Sequence, residues 1–307
     1  VKARKTKNNR KKVVKINHMK GFLTASLLAV SLNLLFGQGL VKQDSTFFDK
    51  SSQTSKVNLR LQYTSDWVYA GRKDSLPAPY LTPSILYAHH SGFFVKGFLS
   101  YLTSEKRVDL WGVGAGYRMN KGNLFWGIGG EFRIFNDSSY AIQSSVSAMA
   151  YTYLGYDLPW LETTVDVNGF FGDTGDILVG LELGKTFFLA DHKFSIYPNA
   201  YGLWGTQRYY SEYYTYKSTT QRQKKGQGGN NPPPVIAKSV MEESTKFKFL
   251  SVDLGIAFRY RLNNITFHFL PSYAIPFNAS TFNTDNTISK ENLKNTFYYN
   301  VGINFLL

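Results

Sequence analysis

The sequence predicts an all-β chain that rolls into a transmembrane, antiparallel, up-and-down β-barrel of about twelve strands. Three observations carry that prediction. The chain ends on a segment with one apolar and one polar side: Tyr299, Val301, Ile303, Phe305 and Leu307 alternate with Asn300, Gly302 and Asn304, and only Leu306 is out of step. The same alternation returns at intervals of about fifteen to twenty residues as far back as Lys56. Connections between these segments are short and long by turns, so that every long one falls on one side.

Composition agrees. Aromatic residues make up 16% of the chain and charged residues 18%, while the hydrophobic share of 43% is too low for a bundle of apolar helices. Tyr and Trp gather where hydrocarbon meets water, and a barrel needs two such belts. No cysteine is present, which excludes a disulfide framework, a lipid anchor on Cys and thiol catalysis.

Residues 1–37 read as a basic extension and a cleavable signal peptide. Lys2, Arg4, Lys5, Lys7, Arg10, Lys11, Lys12, Lys15 and Lys20 precede position 21 without an acidic residue, so nine charges of the net +14 are local and about +5 belongs to the rest. That leaves no general reason to expect nucleic acid as a partner. Residues 22–36 are uncharged and are followed by Gly37, Gln38 and Gly39, a layout suited to secretion and short for a helical span. Met19 would be an ordinary start, with cleavage near Gly37 or Gly39. Residues 38–55 form a periplasmic N-terminal segment, and the barrel occupies 56–307.

The strands are expected at 56–70, 80–89, 93–102, 108–119, 124–135, 140–156, 161–171, 176–189, 193–210, 247–262, 265–275 and 295–307. Loops 71–79, 103–107, 136–139, 172–175, 211–246 and 276–294 lie at one end, and turns 90–92, 120–123, 157–160, 190–192 and 263–264 at the other. Asn120, Gly122, Asn123, Asn263 and Asn264 suit tight turns. In the tenth strand Val252, Leu254, Ile256, Phe258 and Tyr260 face lipid while Ser251, Asp253, Gly255, Ala257, Arg259 and Arg261 face the lumen. The sixth strand, around Ser144–Ser145–Val146–Ser147–Ala148, fits either phase. Pro198 and Pro271 cannot donate to a ladder and imply a bulge or a local opening.

By the same parity Arg60, Lys96, Arg118, Arg133, Arg259 and Arg261 point inward together with Glu131, Asp166, Glu182, Asp253 and His268. Charges inside a narrow barrel must be paired or wet, so these side chains line either a polar channel or a salt-bridged, closed interior. Loop 211–246, with Tyr213, Tyr214 and Tyr216 and the run Pro232–Pro233–Pro234, is a candidate plug or an exposed receptor loop. The glycine series Gly112–Gly114–Gly116 and Gly127–Gly129–Gly130 lacks the helix that a phosphate-binding loop requires and fits a crowded inner face. No metal or other cofactor is expected, since the five histidines are scattered; Asp173 and Asp176 offer at most a weak calcium site on a solvated turn.

His89 and Ser91 stand two apart, and the order His-x-Ser resembles the arrangement in outer-membrane phospholipases and lipid A deacylases. Those families continue with Asn, whereas Gly92 follows here. The mature chain as a whole resembles a generic bacterial outer-membrane β-barrel of porin-like type. That resemblance implies residence in the outer membrane of a Gram-negative bacterium and delivery to the barrel-insertion machinery. The recognition face would be Phe297, Tyr299, Val301, Ile303, Phe305 and Leu307. Three functions follow: a non-enzymatic passive channel for small polar solutes, a closed barrel displaying its outer loops, or a lipid hydrolase using His89 and Ser91.

Overall fold

A computed structural model describes residues 54–307 apart from 74–76, 137–138, 140–145, 173–174, 210–239, 243 and 285–286. The leader over 1–37, nearly all of 38–55 and most of loop 211–246 lie outside the described residues.

Alternating residues pair into strands β1 (Lys56–Thr64), β2 (Tyr80–Ala88), β3 (Phe93–Leu102), β4 (Arg107–Lys121), β5 (Leu124–Phe135) and β6 (Val146–Asp157). They continue as β7 (Glu162–Gly172), β8 (Gly175–Gly184, extended by Phe187–Leu189), β9 (Phe194–Gly205), β10 (Lys248–Leu262), β11 (Ile265–Pro276) and β12 (Thr296–Leu306). Each strand pairs antiparallel with the next, and β1 returns to β12 in the register Arg60↔Asn304 and Gln62↔Gly302. The sheet therefore closes on itself as a barrel of twelve strands, with the start of β1 and the end of β12 both at the short-turn end. Closure pairs both edges, which is what a sheet inside hydrocarbon requires.

The two faces differ as the alternation demands. Val95, Val113, Ile128, Phe132, Leu154 and Ile177 are exposed on the outside. A belt of such side chains on a closed sheet is a lipid-facing surface, and short turns at one end with longer loops at the other complete the architecture of bacterial outer-membrane barrels. Inside, Lys96, Arg133, Glu131, Asp166 and Glu182 are buried.

Among the described residues three register shifts interrupt the ladder, between Ser100 and Tyr101, Leu203 and Trp204, and Val146 and Ala148, all in the half of the wall nearest the long loops. Each gives one strand an extra residue, which re-aims side chains. The third resolves the ambiguous sixth strand: Val146 is buried on one side of the bulge, and Met149, Tyr151 and Tyr153 are buried in the opposite parity beyond it. The described part of that strand is Val146–Asp157, and 140–145 lie outside the described residues.

Other expectations need correction. The first strand ends at Thr64 instead of continuing to 70, because Trp67, Val68, Tyr69 and Ala70 are all buried and cannot belong to a strand with one lipid face. The ninth ends at Gly205, since Asp176 accepts from the Thr206 hydroxyl and from the backbone N–H groups of Arg208 and Tyr209, drawing the chain into one helical turn. This use of the Asp176 carboxylate is a cap. Segment 240–242 forms a short strand, Val240–Glu242, which pairs with Thr281–Thr284 and, through it, Thr287–Lys290 in a small sheet separate from the barrel.

The prolines act by opening the ladder. The Pro198 carbonyl accepts from Lys185 N–H, so its missing donor faces the interruption of β8 at Lys185 and Thr186. Opposite Pro271 the β10–β11 pairing lapses between Gly255↔Ser272 and Phe258↔Phe269 and resumes without a change of register.

Candidate functional site

The bore is filled in layers, and the layer nearest the long loops comes from the first loop. After Thr64 the chain turns inward as a two-stranded hairpin, Val68–Tyr69 against Arg72–Lys73. Its turn is Ala70–Gly71, with φ of 49° and 75°, the left-handed pair that a two-residue hairpin turn requires. A side chain at position 71 would strike Ser251 and Pro276, so the tip of the hairpin lies directly against β10 and the end of β11.

Trp67 packs edge-on against Tyr80 and Phe135 and joins a cluster with Phe98, Leu102 and Leu110, from β2 to β5. Val68 joins Ala274 and Tyr298 on β11 and β12. Tyr69 meets Phe170 edge-on and belongs to a cluster that includes Met149, Leu178, Leu203 and Leu250, from β6 to β10. The clusters that these three successive side chains join thus draw on every strand other than β1, from which the loop departs. The loop crosses the bore.

Arg72 fastens it. Its guanidinium pairs with Glu291 at 2.8 Å, with 3% and 6% of the two side chains exposed. It also donates to the carbonyls of Ala70 at 3.0 Å and Phe277 at 3.0 Å. Glu291 in turn accepts from Ser280 N–H at 3.0 Å, so the pair ties the first loop to the last one. At the same end of the bore, Asp109 accepts from the Tyr80 hydroxyl at 2.6 Å and the Ser139 hydroxyl at 2.7 Å and pairs with Arg107 at 3.1 Å. Asp109 and Leu250 are extra residues at two of the bulges, which explains why simple alternation does not place them inside.

Deeper in the bore the filling is charged and aromatic. Lys96 and Arg133 both pair with Glu131, Arg133 through Nε at 2.6 Å. Asp166 accepts from Asn168 and from the Tyr201 hydroxyl, and Glu182 from Tyr197 at 2.8 Å and Asn199 at 3.1 Å. Bare positions make room for these groups: Phe98, Lys96 and Phe94 lie over Gly112, Gly114 and Gly116, and Tyr153 and Tyr151 over Gly127 and Gly129. Arg118, Asp253, Arg259 and His268 are also buried inside, and Arg60 partly so. Arg261 stands exposed at the turn end of β10.

The residues that close the loop end, Trp67, Tyr69, Arg72, Asp109 and Glu291, are not among those selected by parity. One signal was legible: four consecutive buried-type residues ahead of a glycine break the two-residue period.

His89 and Ser91 do meet, Nδ1 to Oγ at 2.7 Å, in an exposed turn at the short-turn end. Ser91 N–H points at the same ring nitrogen at 3.3 Å, and the ring lies tilted against that of His90, with centroids 4.1 Å apart. Among the described residues no carboxylate orients this imidazole, so the pair has the geometry of a capped turn and lacks the third group that nucleophilic catalysis uses. On β12, Phe297, Tyr299, Val301, Ile303 and Phe305, followed by Leu307, form the outward side of the closing strand.

No protein-family model matches the chain. No curated protein matches it in sequence. Among solved structures, the KdgM porin is similar at 9% identity and a TM-score of 0.45 over 81% of this chain and 98% of its own. The NanC porin follows at 11% identity and 0.43, over 81% and 98%. LpxR from Salmonella typhimurium is similar at 9% identity and 0.41, over 81% and 99%. The barrel assignment itself rests on the closed ladder and its apolar exterior.

Proposed function

We propose that this chain is an outer-membrane channel for small polar solutes, shut in the conformation described, with residues 65–73 as its stopper. The observation that carries the reading is the crossing of the bore by Trp67–Arg72 through non-covalent contacts alone. Burying each large apolar side chain contributes about 1.5–3 kcal/mol, and ordering the backbone costs about 1–2 kcal/mol per residue. The opposing terms are of similar size, as a removable stopper needs. Polar and charged side chains along the rest of the inner wall suit hydrated solutes once the stopper leaves.

In this reading the apolar exterior faces outer-membrane lipid, and the outward side of β12 is the surface offered to the insertion machinery. Residues 1–37 act as the extension and leader, and 38–55 as a periplasmic segment. A second reading, a permanently closed barrel that presents its outer loops, draws support from the tyrosines packed across the middle of the bore, Tyr151, Tyr153, Tyr197 and Tyr201.

Planar-bilayer recording separates the two. The refolded parent should conduct rarely, and a variant with 67–72 replaced by a short Gly/Ser segment should carry at least about tenfold more current, as removal of a constriction implies. If that variant inserts and stays silent, the channel reading is wrong and the closed barrel stands.

A further inference from the structure

One carboxylate of the filling is answered by neutral donors alone. Asp166, on β7 and 1% exposed, accepts from the Asn168 side-chain amide and, at 3.3 Å to each of its oxygens, from the Tyr201 hydroxyl. Among the described residues it forms no ion pair, whereas Glu131 has both Lys96 and Arg133. The charged group that acts on Asp166 is another acid, Glu182. The register explains the isolation. Opposite Asp166 stand Gly180 on β8, which has no side chain to offer, and Tyr153 on β6, whose ring lies over Gly127 on the far side.

Asn168 supplies an independent observation. It is 3% exposed, its Nδ2 is committed to Asp166, and its Oδ1 has no donor among the described residues. The neighbours in the ladder give none: Leu178 on β8 is apolar, and Tyr151 on β6 leans over Gly129, away from β7. Turning the amide over would set its oxygen against an ionised carboxylate, acceptor to acceptor, so Oδ1 stays unanswered beside the acid. A buried acceptor calls for a partner, and a buried carboxylate without a countercharge is costly. One species meets both demands, a hard cation that takes carboxylate and amide oxygens together. Among the described residues no three acids or histidines converge on a point, so such an ion keeps part of its own water shell.

We infer that Asp166 and Asn168 form a binding site for a small hard cation, calcium or sodium, held on the inner wall through the carboxylate and Oδ1. Tyr201 donates to the same carboxylate and so competes with the ion. The site does not depend on conduction, because a closed barrel could hold the same cation.

The test uses the full chain in detergent with 15N-labelled asparagine, the Asn168 side-chain signal being identified by its loss in Asn168→Ala. Each sample is refolded at its own concentration of calcium chloride or of sodium chloride, at fixed pH, with choline chloride keeping the ionic strength constant, so that a buried site fills as the barrel forms. A saturable shift of the Asn168 signal is expected with at least one of the two ions, and calcium against sodium separates the two cases. Asp166→Asn should weaken it at least tenfold. Tyr201→Phe, which removes the competing donor, should strengthen it, and serves if Asp166→Asn does not refold. No saturable shift with either ion, an unaltered one in Asp166→Asn or a weaker one in Tyr201→Phe overturns the site. A signal that moves with pH and with neither ion assigns the pair to a shared proton and overturns it as well. A silent bilayer alongside a positive titration would remove the channel reading and leave this one intact.

Discussion

The two ends of the bore are filled by different physics. At the long-loop end three apolar side chains and one ion pair, all from a segment outside the wall, press against the inner faces of the other strands. Toward the short turns the filling belongs to the wall itself: Lys96 on β3 meets Glu131 of β5 across Gly114 of β4, Arg133 pairs with the same carboxylate, and tyrosines are laid over glycine positions. In the channel reading the first filling leaves when one loop moves. The second is part of the wall and stays, so in that reading it narrows the path rather than shuts it. The three bulges among the described residues sit in the half of the barrel that the first loop crosses, where re-aimed residues such as Leu250 meet the loop. A barrel built by strict alternation gives a uniform wall, and departures from alternation are where this wall and its loop fit together.

That contrast can be broken at its strongest point. Glu291→Gln leaves Arg72 buried without its countercharge, an effect of about 3–5 kcal/mol where a buried pair loses one partner. Because the pair ties loop to loop, the loss should unseat the stopper more than it weakens the barrel, giving more frequent openings in bilayers at a nearly unchanged unfolding midpoint. A large fall in the midpoint without openings would place the pair in the wall's stability instead.

Val113→Arg probes the wall. Val113 is 49% exposed on the outer face, and an arginine near the bilayer midplane costs about 2–4 kcal/mol. Urea titration in lipid vesicles should record that loss, with opening frequency unaltered. The smallest effect belongs to Ser91→Ala. The hydroxyl sits in an exposed turn, so stability should change by less than about 0.5 kcal/mol and any lipid hydrolysis measured for the parent should be unaffected. A loss of hydrolysis on that substitution would revive Ser91 as a nucleophile.

The sequence made the wall legible and the stopper almost illegible, for one physical reason. A period of two reports which side of a sheet a residue faces, and on β10 and β12 the pattern holds, from Val252 to Tyr260 and from Phe297 to Phe305. It fails where a bulge changes parity, as between Val146 and Met149, and at Asp109 and Leu250, because one added residue reverses the assignment beyond it. It carries no information on which loop folds inward. By length and tyrosine content loop 211–246 is the candidate plug, and most of it lies outside the described residues. The loop that crosses the bore is the first, held by a pairing between residues 219 positions apart, Arg72 and Glu291. For the inner charges, parity identifies candidates, but their grouping depends on register. Arg60 meets His268 only because β1 and β11 flank the same bare glycine of β12.

The absence of cysteine allows a direct test of whether the first loop governs the bore. Val68 and Ala274 pack in one buried cluster, the former on the loop and the latter on β11. Introducing Val68→Cys and Ala274→Cys into the Glu291→Gln background creates a lock that oxidation closes and a reductant opens. Single-channel recording should find the oxidised protein silent and the reduced protein conducting, reversibly on the same bilayer. Equal current in both redox states would mean that the loop does not close the channel.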